Sequence, residues 1–170
     1  RCHASSASGY ARGGAIYAST SVELTLTSST ITSCHASSDY NFARGGALHM
    51  EKDSLAMVAD VVIHNCSAVS RFLSAQGGAL SVLSYSNATL TDTTINETTA
   101  LSRADAAQGG AVLADRSAVT LVGCRLRRGL ARSLTHANAL GGACCALDSP
   151  VLSLTSCSFV DCTARSDAAR

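Results

Sequence analysis

Large aromatic side chains are scarce in this chain: tyrosine and phenylalanine make up 4% of 170 residues, and tryptophan is absent. A core without big rings must be narrow and filled by small aliphatic groups, which the hydrophobic content of 46% supplies. Proline occurs once, as Pro150, between two apolar runs. Lysine also occurs once, as Lys52, against twelve arginines. The net charge of +1 gives no long-range field to recruit nucleic acid or an anionic membrane. No apolar run reaches the roughly 18 residues of a membrane-spanning helix, so this segment carries no direct membrane insertion. No secretory signal opens the chain. A phosphate-binding loop, a Ser-His-Asp set and a convincing acid/base pair are all missing, so no cofactor and no catalytic residue is assigned.

What is present is repetition. Gly-Gly returns every 32 residues, at Gly13-Gly14, Gly45-Gly46, Gly77-Gly78, Gly109-Gly110 and Gly141-Gly142. Alanine follows each pair, and then Ile16, Leu48, Leu80, Val112 or Cys144. A fixed period of this length marks a stack of identical layers. The units are 13–44, 45–76, 77–108, 109–140 and 141–170. Within them apolar residues alternate with Ser and Thr, as in Glu23–Thr27, where Leu24 and Leu26 take one face. Such period-two runs read as half-buried strands. Helical repeats of similar length would need an i, i+3, i+4, i+7 stripe, which is missing, and would not tolerate paired glycines in each unit.

Stacking the units exposes columns: Leu26, Val58, Leu90 and Leu154; Ile31, Ile63, Ile95 and Phe159; Ala18, Met50, Val82, Ala114 and Ala146. In the fourth unit Val119, Leu121 and Leu126 sit one place early, and an insertion restores the frame before Gly141. A shortened turn or a bulge accounts for such a slip. Strands that stack on their own copies at fixed period run parallel. The expected fold is therefore all-β: a right-handed, single-stranded parallel β-helix of about five coils, each with three short strands and three turns. At roughly 4.8 Å per coil the rod would be roughly 24 Å long. Residues 1–12 align with 33–44 as the tail of a preceding coil, so the expectation is a single β-helix segment, 1–170, cut from a longer array.

Several clusters carry possible chemistry. Cys2, Cys34, Cys66 and Cys162 share a column in which Thr98 stands once. They read as buried free thiols or as partners in disulfides between coils, with Cys124 and Cys157 the best-aligned pair. Vicinal Cys144 and Cys145 must point to opposite faces of a strand. Cys2-His3 and Cys34-His35 offer zinc-type ligands, but neighbouring residues on a strand diverge and Ser67 replaces the histidine in the next coil, so no metal site is assigned. Asp60 and Asp92 stand one coil apart, as a carboxylate pair or as turn residues. Arg125, Arg127, Arg128 and Arg132 form a basic rim, either solvated or facing a sulfated or carboxylated glycan. Asn65, Asn87 and Asn96 lie in glycosylation sequons.

The stretch before each Gly pair varies most, and loops on a rigid scaffold favour binding. Tyr40, Phe42, Arg44, Arg71, Phe72 and Arg103 are its candidate binding residues. Arg12, Arg44, Gln76 and Gln108 form a ladder at its end, and the glycines are structural turn residues.

GGAI at 13–16, GGAL at 45–48 and 77–80 and GGAV at 109–112 resemble the Gly-Gly-Ala-Ile half of the polymorphic outer membrane protein repeat. ITSC, IHNC, INET and FVDC stand where that repeat has Phe-x-x-Asn. The resemblance implies a pectin-lyase-like β-helix and an extracellular, cell-surface stalk or adhesion array. The expected function is a non-catalytic structural and adhesive segment whose partners are further coils of the same chain and cell-surface proteins or glycans. The alternative is part of a polysaccharide lyase or glycoside hydrolase.

Overall fold

One turn of backbone in this protein takes 32 residues and five strands. The computed structural model describes residues 1–135, 137–148 and 151–167; Pro150 lies outside the described residues. The coil that begins at Gly45 runs through strands Leu48–Glu51, Leu55–Ala59, Val62–His64, Ser67–Ser70 and Ala75–Gln76. The same five strands recur in each coil, and every strand pairs in parallel with its copies in the neighbouring coils. Five parallel sheets result, one of six strands and four of five. The fold is an all-β parallel solenoid of about five coils.

Five strands rather than three is a correction to the sequence expectation, and the reason is local. Between the Gly pair and the variable loop, each coil breaks at left-handed residues: Lys52 and Asp53, then Asp60, then Asn65 in the second coil. Such residues end a strand, and the extra corners divide the three strands expected from the sequence into five. The one-residue slip is confirmed. Asn87 pairs with Ala118, 31 residues on, whereas Leu83 still pairs with Asp115 at 32. The corner that holds left-handed Ser84 and Tyr85 in the third coil keeps only Arg116 in the fourth. Register returns to 32 at Ala107 and Ala139, after the loop.

The interior is a set of aliphatic columns. Met50, Val82 and Ala114 are fully buried, as are Leu90, Ile95, Leu121 and Leu126. Each large member contributes about 1.5–3 kcal/mol. In the last described coil the same columns are open, with Leu154 at 45% and Phe159 at 42% exposure. Cysteine fills two interior corners. Cys34, Cys66, Cys124, Cys157 and Cys162 each direct the thiol to the carbonyl two residues earlier, at 3.3–3.5 Å. Ser29 and Thr93 make the same bond from equivalent positions. The thiols thus act as weak donors that quiet strand-end carbonyls where the chain turns. Among the described residues all eight cysteines are free. Burial pushes Cys66 up to about 11 and Cys144 up to about 12, which keeps both protonated and poor as nucleophiles or ligands.

The paired glycines have two separate jobs. The first of each pair is left-handed, φ +60° at Gly45 and +65° at Gly77. The second is where two parts of the solenoid approach. A Cβ on Gly46 would fall within 2.6 Å of Ser67 C and against the carbonyl oxygen of Gly78. The Gly46 N–H donates to the Gly77 carbonyl at 3.1 Å, so the ladder of hydrogen bonds continues through the corner.

Gly46→Ala should therefore cost about 3 kcal/mol or more by thermal or denaturant unfolding, because backbone rather than a movable side chain is in the way. Gly9→Ala, where the nearest atom is Ser6 Oγ at 3.1 Å, should cost under about 1 kcal/mol. Equal losses would show that close approach at the corner is not what the second glycine provides.

Candidate functional site

Each variable loop is anchored by a buried serine. Ser38, Ser70, Ser102 and Ser133 end the strands before successive loops and are 0–3% exposed. Ser70 Oγ accepts the Leu73 N–H at 3.1 Å and donates to the Asn41 carbonyl of the preceding loop at 2.8 Å. Ser38 and Ser102 repeat the arrangement with Asn41 and Asp105 as N–H donors, and Gly9 and Leu73 as carbonyl acceptors. Ser133 donates to the Asp105 carbonyl in the same way. Every loop is thereby tied to its own strand and to the loop before it. The sequence reading missed this ladder; its signal was the serine recurring at 38, 70 and 102.

The loops bring four of the seven aromatic residues to the N-terminal part of one side, and strand Ile16–Ser19 adds Tyr17. Tyr10 stacks on Phe42 with ring centroids 6.0 Å apart, and Tyr40 on Phe72 at 5.0 Å. Tyr17 lies over His49 at 5.5 Å. Guanidinium groups layer onto the stacks: Arg12 over Tyr10 at 4.4 Å, Arg44 over Phe42 at 4.8 Å and Arg71 over Phe72 at 5.1 Å. Of the expected binding residues, Tyr40, Phe42, Arg44, Arg71 and Phe72 come together in these stacks. Arg103 joins Arg71 and Asp39 in an adjoining groove of about 210 Å³.

Beneath the stacks lies a charged cluster that the sequence reading did not assemble. The Tyr17 hydroxyl donates to Glu51 Oε1 at 2.6 Å, and Arg12 donates to the same oxygen at 3.1 Å. His49 Nε2 sits 3.4 Å from Glu51 Oε2. The His49 hydrogen bond, helped by Tyr17 and Arg12 and opposed by burial, holds the Glu51 carboxyl at about 2. Burial pushes His49 below its usual value, so it is neutral. The ladder expected at 12, 44, 76 and 108 is a directed chain from Arg44 on. Arg44 Nε donates to Gln76 Oε1 at 2.8 Å, and Gln76 Nε2 to Gln108 Oε1 at 2.9 Å. Burial and then neighbouring Arg12 push the Arg44 guanidinium down.

The other candidates stay apart. Asp60 and Asp92 are left-handed turn residues, with φ of 54° and 48°. Cys124 and Cys157 occupy equivalent corners of adjacent coils, as free thiols. Cys144 packs into the interior while Cys145 joins a small cluster outside it with Leu83 and Leu113. His3 and His35 stand edge to face at 6.3 Å, and the described residues contain no group of three or more His, Cys, Asp or Glu able to hold a metal. Arg128 pairs with Glu97, and Arg132 and Arg165 share Asp167, leaving Arg125 and Arg127 exposed. Asn65 and Asn87 are exposed, whereas Asn96 bonds His64 Nδ1 at 3.2 Å and its sequon partner Thr98 is buried. No family model matches the chain, and neither the curated proteins nor the solved structures contain a match.

Ser70→Ala should leave the solenoid folded but speed hydrogen exchange in residues 71–74, with a stability loss of about 1–3 kcal/mol. Unchanged exchange there would remove the anchoring role. Glu51 supplies stability above its unfolded value of 4.5 that is lost as pH falls towards 2. Glu51→Gln should be less stable than the parent at pH 7, and the gap in Tm should close between pH 4.5 and 2. A gap independent of pH would contradict the ion pairing.

Proposed function

We propose that this chain is a non-catalytic scaffold segment of an extracellular, cell-surface protein, a stiff spacer that displays adhesive loops in fixed register. The observation that carries the reading is the contrast between frame and loops. Parallel ladders join every coil to the next with unbroken pairing, while residue variety gathers in loops that the serine ladder fixes in place. A frame of this kind holds loop residues at constant axial spacing, which suits display. The GGA-aliphatic beat supports the finer assignment to a polymorphic-outer-membrane-protein-like, pectin-lyase-like array. Exposed sequon residues Asn65 and Asn87 are consistent with secretion.

Acid/base chemistry finds poor support in the same residues. Asp60 and Asp92 serve corners, and Glu51 is locked in its ionised form by His49, Tyr17 and Arg12, far from the range a general acid needs near neutrality.

Two measurements test the reading together. Deleting residues 77–108 joins equivalent corners, so the product should fold cooperatively and shorten by about 4.8 Å in solution scattering. The intact chain should show no turnover of neutral or acidic polysaccharides in lyase and hydrolase assays. Failure of the deletion to fold would refute the modular spacer, and turnover abolished by Asp92→Ala would replace it with an enzyme.

A further inference from the structure

Among the described residues, four buried side-chain polar atoms lack a hydrogen-bond partner, and three of them lie in one corner: Arg12 Nε, His49 Nδ1 and Ser81 Oγ. His49 and Ser81 are directly paired neighbours on the outer face of one sheet, and both are completely buried. The cluster also has an imbalance of charge. Arg12 is neutralised by Glu51, but Arg44 has no ion pair among the described residues. Its Nε is used by Gln76, and its terminal nitrogens make no hydrogen bond. A half-buried guanidinium without a counter-anion is costly to keep. An open groove of about 640 Å³, bordered by Ser5, Tyr10, Arg12 and Tyr17, lies beside Arg12 and along the Tyr10 ring that Arg44 also faces.

We propose that this corner recognises a carboxylate side chain on an acidic peptide segment of a protein partner, with Arg44 as the principal anchor and Arg12 beside it. Shape favours a carboxylate. The Arg44 guanidinium lies 4.8 Å from the Phe42 ring centre and 5.2 Å from that of Tyr10, with its terminal nitrogens free of hydrogen bonds among the described residues. A planar carboxylate continues that layer with two parallel hydrogen bonds, which a tetrahedral sulfate cannot do. The rings favour a peptide over a sugar. At the anchor, Tyr10 and Phe42 lie against each other and against the Arg12 and Arg44 guanidinium groups, so a pyranose beside Arg44 meets ring faces that are already taken. The rings stay partly open to solvent, with Tyr10 at 46%, Tyr40 at 62% and Phe72 at 43% exposure. Arg71 and Arg103, which make no ion pair among the described residues, line the adjoining groove with Asp39 and Val69 and suit aliphatic and acidic side chains on one extended strand.

The inference rests on the loop corner being a display surface, and its test is separate from the deletion and turnover experiments. A fluorescein-labelled oligoglutamate peptide is titrated with the intact chain by anisotropy, while the Arg Nε–H signals are followed by NMR. Polygalacturonate and dextran sulfate serve as parallel arms. Oligoglutamate should bind and shift the Arg44 signal. Arg44→Gln, which retains a partner for Gln76, and Arg44→Lys, which retains the charge but loses the fork, should each weaken binding about tenfold. Arg165→Gln, in the last coil, should bind as the parent does. Thermal melts establish that each variant is folded. No binding, or parental affinity in Arg44→Lys, overturns the site; polygalacturonate or dextran sulfate binding as tightly as oligoglutamate overturns the peptide assignment.

Discussion

Everything in this molecule depends on two stretches of backbone being allowed to touch. At the second glycine of each pair, the chain lies against the strand that opens at Ser67 or its equivalents and against the carbonyl of the next coil's glycine. That approach lets one coil sit on the next with continuous N–H to C=O pairing even through the corner, from Gly14 to Gly45 and onward to Gly141. A side chain there would lift the coils apart and break several parallel ladders at once. The narrowness of the interior follows from the same constraint. A tight corner leaves room for alanine, valine, leucine and isoleucine in stacked columns and little room for rings: Phe159, in the open last coil, stands in a column, and four of the other six lie in the loops.

A narrow interior sets a second problem, since strands that end at corners leave carbonyls facing inward. Short side chains that donate one hydrogen bond solve it. Serine, threonine and cysteine substitute for one another at these positions, as Ser29, Thr93 and Cys124 do along one corner and Cys34, Cys66 and Cys162 along another. A thiol in this setting is a small apolar group with a useful proton. Five of the eight cysteines thereby have a structural role that draws on the thiol's size and proton alone.

The columns, the parallel stacking and the slip in the fourth unit were legible in the sequence because inward residues repeat in type as well as in position. The five-strand coil was not, because the corners at Asp60 and Asn65 are built by ordinary polar residues held at positive φ by their neighbours. The charged cluster was hidden for a different reason. Alternation assigns His49 and Glu51 to the outer face and therefore to solvent, yet both are buried. Tyr17, the partner of His49 in the same sheet, and Arg12, from the end of the sheet before it, close over them, a contact between coils that no single strand encodes. The loop residues Tyr40, Phe42, Arg44 and Phe72 stood out by composition alone. Their mutual stacking could be seen only once the period had aligned Tyr40 with Phe72 and Tyr10 with Phe42.

The corner that keeps Arg116 where its neighbour coil has Ser84 and Tyr85 is one residue shorter, and the loop after Ser133 is one residue longer. Between these two points the whole fourth coil is shifted by one place, yet Val119, Leu121 and Leu126 still enter the interior at zero exposure. Length is thus a local currency at the corners and does not propagate into the frame. A lineage carrying this architecture can gain or lose residues in one coil, and a protein engineer can graft a longer loop onto it, without renegotiating the contacts of any other coil.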